Sequence, residues 1–209
     1  MICSGLVNLI KQIDNIINYI IINYKMKILL LHGYFQNGKI ILKAIQKLLG
    51  NKCKEYEIVS PNGPYKIGED KYGWWNLPSK ELFCKPHLYE NVEDAIELVK
   101  SIGHVDIVIG FSQGAVLATI LLGQKIITGC KLVILMSGSD IMDERYISDE
   151  KIDTKSIHIL GIKDTLCFKE YSLKLSERYI NKDISEHKWG HVIPTNSTMR
   201  DFILEKINC

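Results

Sequence analysis

The chain has 209 residues, 46% of them hydrophobic and 24% charged, with a formal net charge of +2. That size and apolar content suit one domain with a sizeable core, and Lys and Arg are interspersed with Asp and Glu rather than gathered into the basic face of a nucleic-acid binder. The cysteines (Cys3, Cys53, Cys84, Cys130, Cys167 and Cys209) are scattered with no Cys-x-x-Cys pair, which argues against a zinc knuckle, a redox pair or a disulfide scaffold and for reduced thiols in a cytoplasmic setting.

The first 25 residues, MICSGLVNLIKQIDNIINYIIINYK, are biased toward Ile and Asn. Lys11 and Asp14 interrupt the apolar run and no basic stretch precedes it, so it reads neither as a secretory signal nor as a transmembrane span. Leu6, Leu9, Ile10, Ile13, Ile16, Ile17 and Ile20 recur at helical spacing, with Asn8, Lys11, Gln12 and Asn15 on the other side. The expectation is an amphipathic helix appended to a domain at 26–209. Packing on the domain is the first reading. Contact with a partner or peripheral contact with a membrane surface are the others. Met26 offers a second candidate start, because MKILLLHG opens a strand at once.

From there apolar runs of strand length alternate with helical patterns. Strands are expected at Lys27–Leu31, Tyr56–Ser60, Val105–Ile109, Lys131–Met136, Ser156–Leu160 and Ile184–His187. Helices are expected after a cap at Asn37, and at about Leu88–Ile102, Gln113–Gly123, Lys169–Tyr179 and Thr195–Ile207. The Asn37 helix would turn Ile40, Ile41, Ala44, Ile45, Leu48 and Leu49 inward. This alternation predicts an α/β fold, a mostly parallel sheet with helices on both faces. Pro61–Pro86 reads as one long irregular loop, of the kind more often functional than idle. It holds Trp74 and Trp75, which either wall a substrate site or belong to the core.

Within VDIVIGFSQGAVLATILLG, Gly110-Phe111-Ser112-Gln113-Gly114 fits G-x-S-x-G between a strand and a helix, the context that motif requires. A sharp strand-to-helix turn exposes the serine hydroxyl at a helix N-terminus, where N–H groups favour negative charge. Such a nucleophile needs a base and an orienting acid, which follow in the order Ser, Asp, His. Asp164 lies just past the strand IHIL and His191 just past another, both at the carboxyl edge of the sheet. Asp140 and Asp143 are rival acids. His187, four residues before His191, reads as structural because its segment is a strand and no third metal ligand accompanies the pair. His158 reads as a core histidine. Backbone N–H groups of Tyr34 and Gln113 are candidate oxyanion donors, with His32 supporting the turn after the first strand.

LHGYFQNG, YGWW, GFSQGA, GIKD and HKWGHVIP, in that order, resemble the family serine hydrolases (FSH) of the α/β-hydrolase superfamily, over about Met26 to the C-terminus. The resemblance implies an α/β-hydrolase fold with a minimal lid and a carboxylesterase-like serine hydrolase. It implies Ser112 as nucleophile, Asp164 as acid, His191 as base, and Tyr34 and Gln113 as oxyanion donors. The chain departs from the family pattern at Trp189-Gly190-His191, where Gly-Gly-His is usual. Trp189 either narrows the acyl pocket or packs outward. The expected reaction is hydrolysis of a small-molecule ester through an acyl-enzyme, with no metal and no organic cofactor. Thioesters, lysophospholipids and amides suit the same machinery, and a non-catalytic binding protein is the alternative from another class.

Overall fold

The computed structural model describes residues 12–13, 24–77, 79 and 85–208. Gln12 and Ile13 are helical, while the rest of the expected N-terminal helix, up to residue 23, lies outside the described residues. The elements in order are β1 (Lys27–Leu31), α1 (Gly38–Leu49), β2 (Glu57–Val59), β3 (Tyr65–Gly68), β4 (Lys71–Gly73), α2 (Val92–Ile102), β5 (Ile107–Phe111), α3 (Gln113–Gly123), β6 (Leu132–Met136), β7 (Lys155–Gly161), α4 (Lys169–Ser176), β8 (Lys182–His187) and α5 (Ser197–Asn208).

The six main strands form one sheet in the order β2-β1-β5-β6-β7-β8. Every ladder in it is parallel. Alternation along each strand feeds two cores. Ile28, Leu30, Ile107, Ile109, Ile157 and Ile159 point to one face and pack with Ile41, Ile45 and Leu48 of α1 and Met199 and Ile203 of α5. Leu29, Leu31, Val108, Val133 and Leu135 point to the other, against Ala95 and Val99 of α2, most of α3, and Leu175 of α4. Each fully buried Leu or Ile contributes roughly 1.5–3 kcal/mol. Helix α3 is buried on all sides from Gln113 to Leu122, which is why its sequence shows no polar face.

The α1 cap forms as expected, with Ile40 N–H donating to Asn37 Oδ1 at 2.9 Å. Ile40 itself is exposed rather than buried. Its neighbours in the first turn take the core positions. The stretch expected to be one irregular loop contains the antiparallel hairpin β3–β4. Its strands are too short and too charged to show alternation. Tyr72 N–H donates to Gln36 O at 2.8 Å, and Asn37 Nδ2 donates to Asp70 O at 2.8 Å, so the hairpin is tied to the loop after β1.

From β1 the chain crosses to β2 on one side, while β5 pairs with β1 on the other. The connections therefore diverge between the carboxyl ends of β1 and β5. Open α/β sheets leave a crevice at such a point.

Candidate active site

Ser112 stands where β5 ends and α3 begins, with φ 54° and ψ −118°. A non-glycine residue held there stores on the order of 1–3 kcal/mol of strain. Ser112 N–H donates to Met136 O at 2.9 Å, and Ser112 O accepts from Ala115 N at 2.9 Å. The flanking glycines are steric necessities. A Cβ on Gly114 would sit 2.0 Å from Leu31 O, and one on Gly110 would sit 2.5 Å from Gly114 O. Strand β1, the turn and α3 thus approach too closely for any side chain at these two positions.

Asp164 and His191 arrive on the loops after β7 and β8, which are laced together by backbone bonds. Ile162 N–H donates to His187 O at 2.9 Å and Lys163 N–H to Trp189 O at 3.1 Å. His191 Nδ1 lies 2.7 Å from Asp164 Oδ2. His191 Nε2 lies 3.0 Å from Ser112 Oγ. The other carboxylate oxygen, Oδ1, accepts the N–H groups of Cys167 at 2.9 Å and Leu166 at 3.0 Å. Burial alone would raise the Asp164 carboxyl. The bonds from His191, Cys167 and Leu166 outweigh it and hold the group below its usual range. A buried, ionised, fully engaged carboxylate therefore fixes the imidazole with its second nitrogen on the serine hydroxyl. Phe111 packs against that imidazole at 5.0 Å between ring centroids.

Ser112 and His191 open into a cleft of about 370 Å³ lined also by Gly33, Tyr34, Phe35, Gln36, Leu77, Phe111 and Leu166. Gln113 is the first residue of α3, so its N–H has no acceptor within the helix. Tyr34 follows β1 in the facing wall. Between them the loop is pinned tightly. Gln36 N–H donates to Gly33 O at 3.2 Å, and Gly33 N–H donates to Gln36 Oε1 at 3.1 Å. His32 is fully buried, with Nδ1 on Gly33 O at 2.7 Å and Nε2 accepting from Gly63 N at 2.8 Å. Burial lowers its imidazole to about 4, so it is a neutral brace for this turn.

Trp74 and Trp75 lie in the core rather than in the cleft wall. Trp74 is wholly buried, its Nε1 donating to His32 O at 2.7 Å. Trp75 stacks on Tyr89 at 4.3 Å. The Gln113 side chain holds both, its Oε1 accepting from Trp74 N at 2.8 Å and its Nε2 donating to Trp75 O at 3.0 Å. Trp189 is 38% exposed and does not line the cleft; its ring neighbours His187. Asp140 pairs with Arg178, and Asp143 receives Tyr89 N–H at 2.7 Å and pairs with Arg145, so neither meets His191. His158 is buried against Tyr179, and burial lowers it to about 3. His187 is buried and accepts Trp189 N–H at 3.3 Å. Among the described residues no cluster of three His, Cys, Asp or Glu is placed to hold a metal, and no helix is long and apolar enough to cross a membrane.

Sequence reasoning missed the Gln113 side-chain bonds, the Gln36 brace, and Phe111, Leu77 and Leu166 in the cleft. Gln36, Phe111 and Gln113 stand inside the quoted motifs and were within reach. Leu166 carries no signal, because only the turn around Asp164 brings it to the opening.

The chain has relatives among known proteins. The family described as Serine hydrolase (FSH1) matches residues 22–203. The chain is 27% identical to "Esterase AAEL000016" of Aedes aegypti, covering 87% of this chain and 74% of that one. It is 26% identical to "Esterase OVCA2" of Danio rerio, covering 84% and 93%. Among solved structures, a carboxylesterase from Mesorhizobium loti shares the fold with TM-score 0.68 at 15% identity, covering 89% of this chain and 90% of that one. The chain belongs to the serine hydrolase (FSH1) family and is a carboxylesterase-like serine hydrolase on the α/β-hydrolase fold.

Proposed function

We propose that the protein hydrolyses carboxylic esters of small molecules through a covalent acyl-enzyme. The observation that carries this reading is the continuous chain from Ser112 Oγ to His191 at 3.0 Å and on to buried Asp164 at 2.7 Å, ending on a strained serine. Ser112 Oγ attacks the ester carbonyl while its proton passes to His191 Nε2. Asp164 holds the Nδ1–H tautomer and stabilises the imidazolium. The N–H groups of Tyr34 and Gln113 receive the oxyanion. The intermediate collapses, the C–O bond to the alcohol breaks, and the alcohol takes the proton from His191. Water, deprotonated by His191, then attacks the acyl carbon, the bond from that carbon to Ser112 Oγ breaks to release the acid, and His191 returns the proton to Ser112. We place the catalytic domain at 26–209 and the protein in the cytoplasm, a setting supported by scattered cysteines without a Cys-x-x-Cys pair and by the free thiols of Cys53 and Cys130.

Matched short-chain esters, thioesters and amides, assayed side by side, test the substrate class. Ester kcat/KM should exceed amide kcat/KM. Thioester preference would reassign the substrate class. No turnover of any of them by folded protein would favour a binding role.

A further inference from the structure

The carboxyl edge of the sheet, where the cleft opens, displays six large apolar side chains. They are Phe35 after β1, Ile162, Leu166 and Phe168 after β7, and Trp189 and Val192 after β8. Soluble surfaces scatter such residues singly; grouped around one opening they mark a contact surface. Phe35 and Leu166 both line the cleft. The β7 and β8 loops that carry the rest are joined through the Ile162–His187 and Lys163–Trp189 bonds.

Phe35 is held at φ 65°, a conformation a glycine would adopt without strain, yet the residue is 48% exposed. Burial of this ring in the free protein does not offset that cost. The exposed charge on these loops has one sign. Across 32–37, 162–168 and 188–196 the only acidic residue is Asp164, which is buried beneath His191. Lys163 and Lys188 are exposed there, and Lys188 Nζ lies 5.6 Å from the Trp189 ring. From the adjoining hairpin Lys71 Nζ lies 5.3 Å from the Phe35 ring. Glu186 at the end of β8 is matched by Lys169. Aromatic and aliphatic side chains interleaved with lysines suit the boundary between headgroups and acyl chains.

We propose that this edge docks on an anionic lipid surface, with the cleft opening onto the membrane. The surface lies away from the point where Tyr24 and Lys25 join the domain. Tyr24 and Lys25 meet the domain at the opposite edge of the sheet, beside Asp106 just before β5 and Lys54 just before β2. The docking does not rest on the hydrolase reading, because it is measured without turnover, and Ser112→Ala should dock like the unmodified protein.

The test is flotation of the full chain with vesicles of phosphatidylcholine alone and of phosphatidylcholine with about one third phosphatidylserine. Binding to the anionic vesicles should exceed binding to neutral ones by about tenfold or more and should weaken as salt rises. Lys163→Glu with Lys188→Glu should reduce it by at least about tenfold. Phe168→Ser should weaken it further, and hydrolysis of a short soluble ester should be unchanged in both variants. No binding to either vesicle would overturn the proposal. So would binding unaffected by the charge reversals and by salt, which would move the contact elsewhere on the chain. A concentration-dependent dimer that Phe168→Ser dissociates, without vesicle binding, would give the surface to a second copy and equally overturn it.

Discussion

Asp164 uses both carboxylate oxygens, one on His191 and one on two N–H groups, and each bond has a separable consequence. Asp164→Asn keeps the shape but favours the wrong imidazole tautomer, so kcat/KM should fall by about 10⁴-fold. Asp140→Asn and Asp143→Asn should change it far less, because their partners are Arg178 and Arg145. A larger rate loss at Asp140 or Asp143 would reverse the assignment. Gln113→Ala removes the bonds to the Trp74 and Trp75 backbone and strands buried polar groups. A stability loss of about 2 kcal/mol in urea unfolding is expected. The residues of the array were legible because a strand-to-helix serine demands a base and an acid at strand ends, and chain order named Asp164 and His191. The cleft-lining residues were not. Whether Trp74, Trp75 or Trp189 faces a cleft depends on backbone turns that composition does not encode. The structure turns the first two into the core and the third outward.

At the scale of elements, the strand-to-helix turn is built on the close approach of β1 to α3. Gly114→Ala would drive a Cβ to within 2.0 Å of the Leu31 carbonyl, a backbone atom that cannot step aside. A loss of about 3 kcal/mol or more is expected, read as a fall in Tm. Gly123→Ala, in the same helix, is the contrast. Its Cβ would meet Ser148 and Ile152 side chains at ordinary distances of 3.4–4.0 Å. Better helix propensity should then stabilise the protein by about 0.5–1 kcal/mol. Equal effects at the two positions would contradict so close an approach of β1 to α3. The central strands β1, β5, β6 and β7 were readable as Ile-, Val- and Leu-rich runs, since a strand buried on both faces has few polar positions, whereas the edge strands β2 and β8 are partly solvated. The β3–β4 hairpin was hidden because its strands are solvated and alternate nothing. Its position is set by bonds to Gln36 and Asn37 rather than by its own apolar residues.

At the scale of the whole molecule, buried histidines couple the fold to pH. Burial lowers His32 to about 4 and His158 to about 3, against an unfolded value near 6.5. Between those values the unfolded chain binds protons that the folded one refuses. Stability is therefore full above about pH 6.5 and falls as pH drops toward 4, by on the order of 3 kcal/mol for His32 alone. Urea midpoints at about pH 7.5 and pH 5 measure it, and His32→Gln should flatten the dependence. The N-terminal boundary belongs to this scale too. Tyr24 OH donates to buried Asp106 at 2.5 Å, and Lys27 N–H donates to the same carboxylate oxygen at 2.8 Å. A chain beginning at Met26 should keep kcat/KM on a small ester within about twofold, yet lose about 1–2 kcal/mol of stability with the Tyr24 bond. Tyr24→Phe should reproduce most of that loss. If the shortened chain folds but loses its activity, the extension helps to shape the cleft. In the proposed mechanism three loops far apart in sequence make Ser112 a nucleophile, and a fluorophosphonate probe reads that directly. Intact mass and peptide mapping should find one adduct, on Ser112, absent in Ser112→Ala and formed far more slowly in Asp164→Asn. A label on another residue, or undiminished labelling of folded Ser112→Ala, would contradict it.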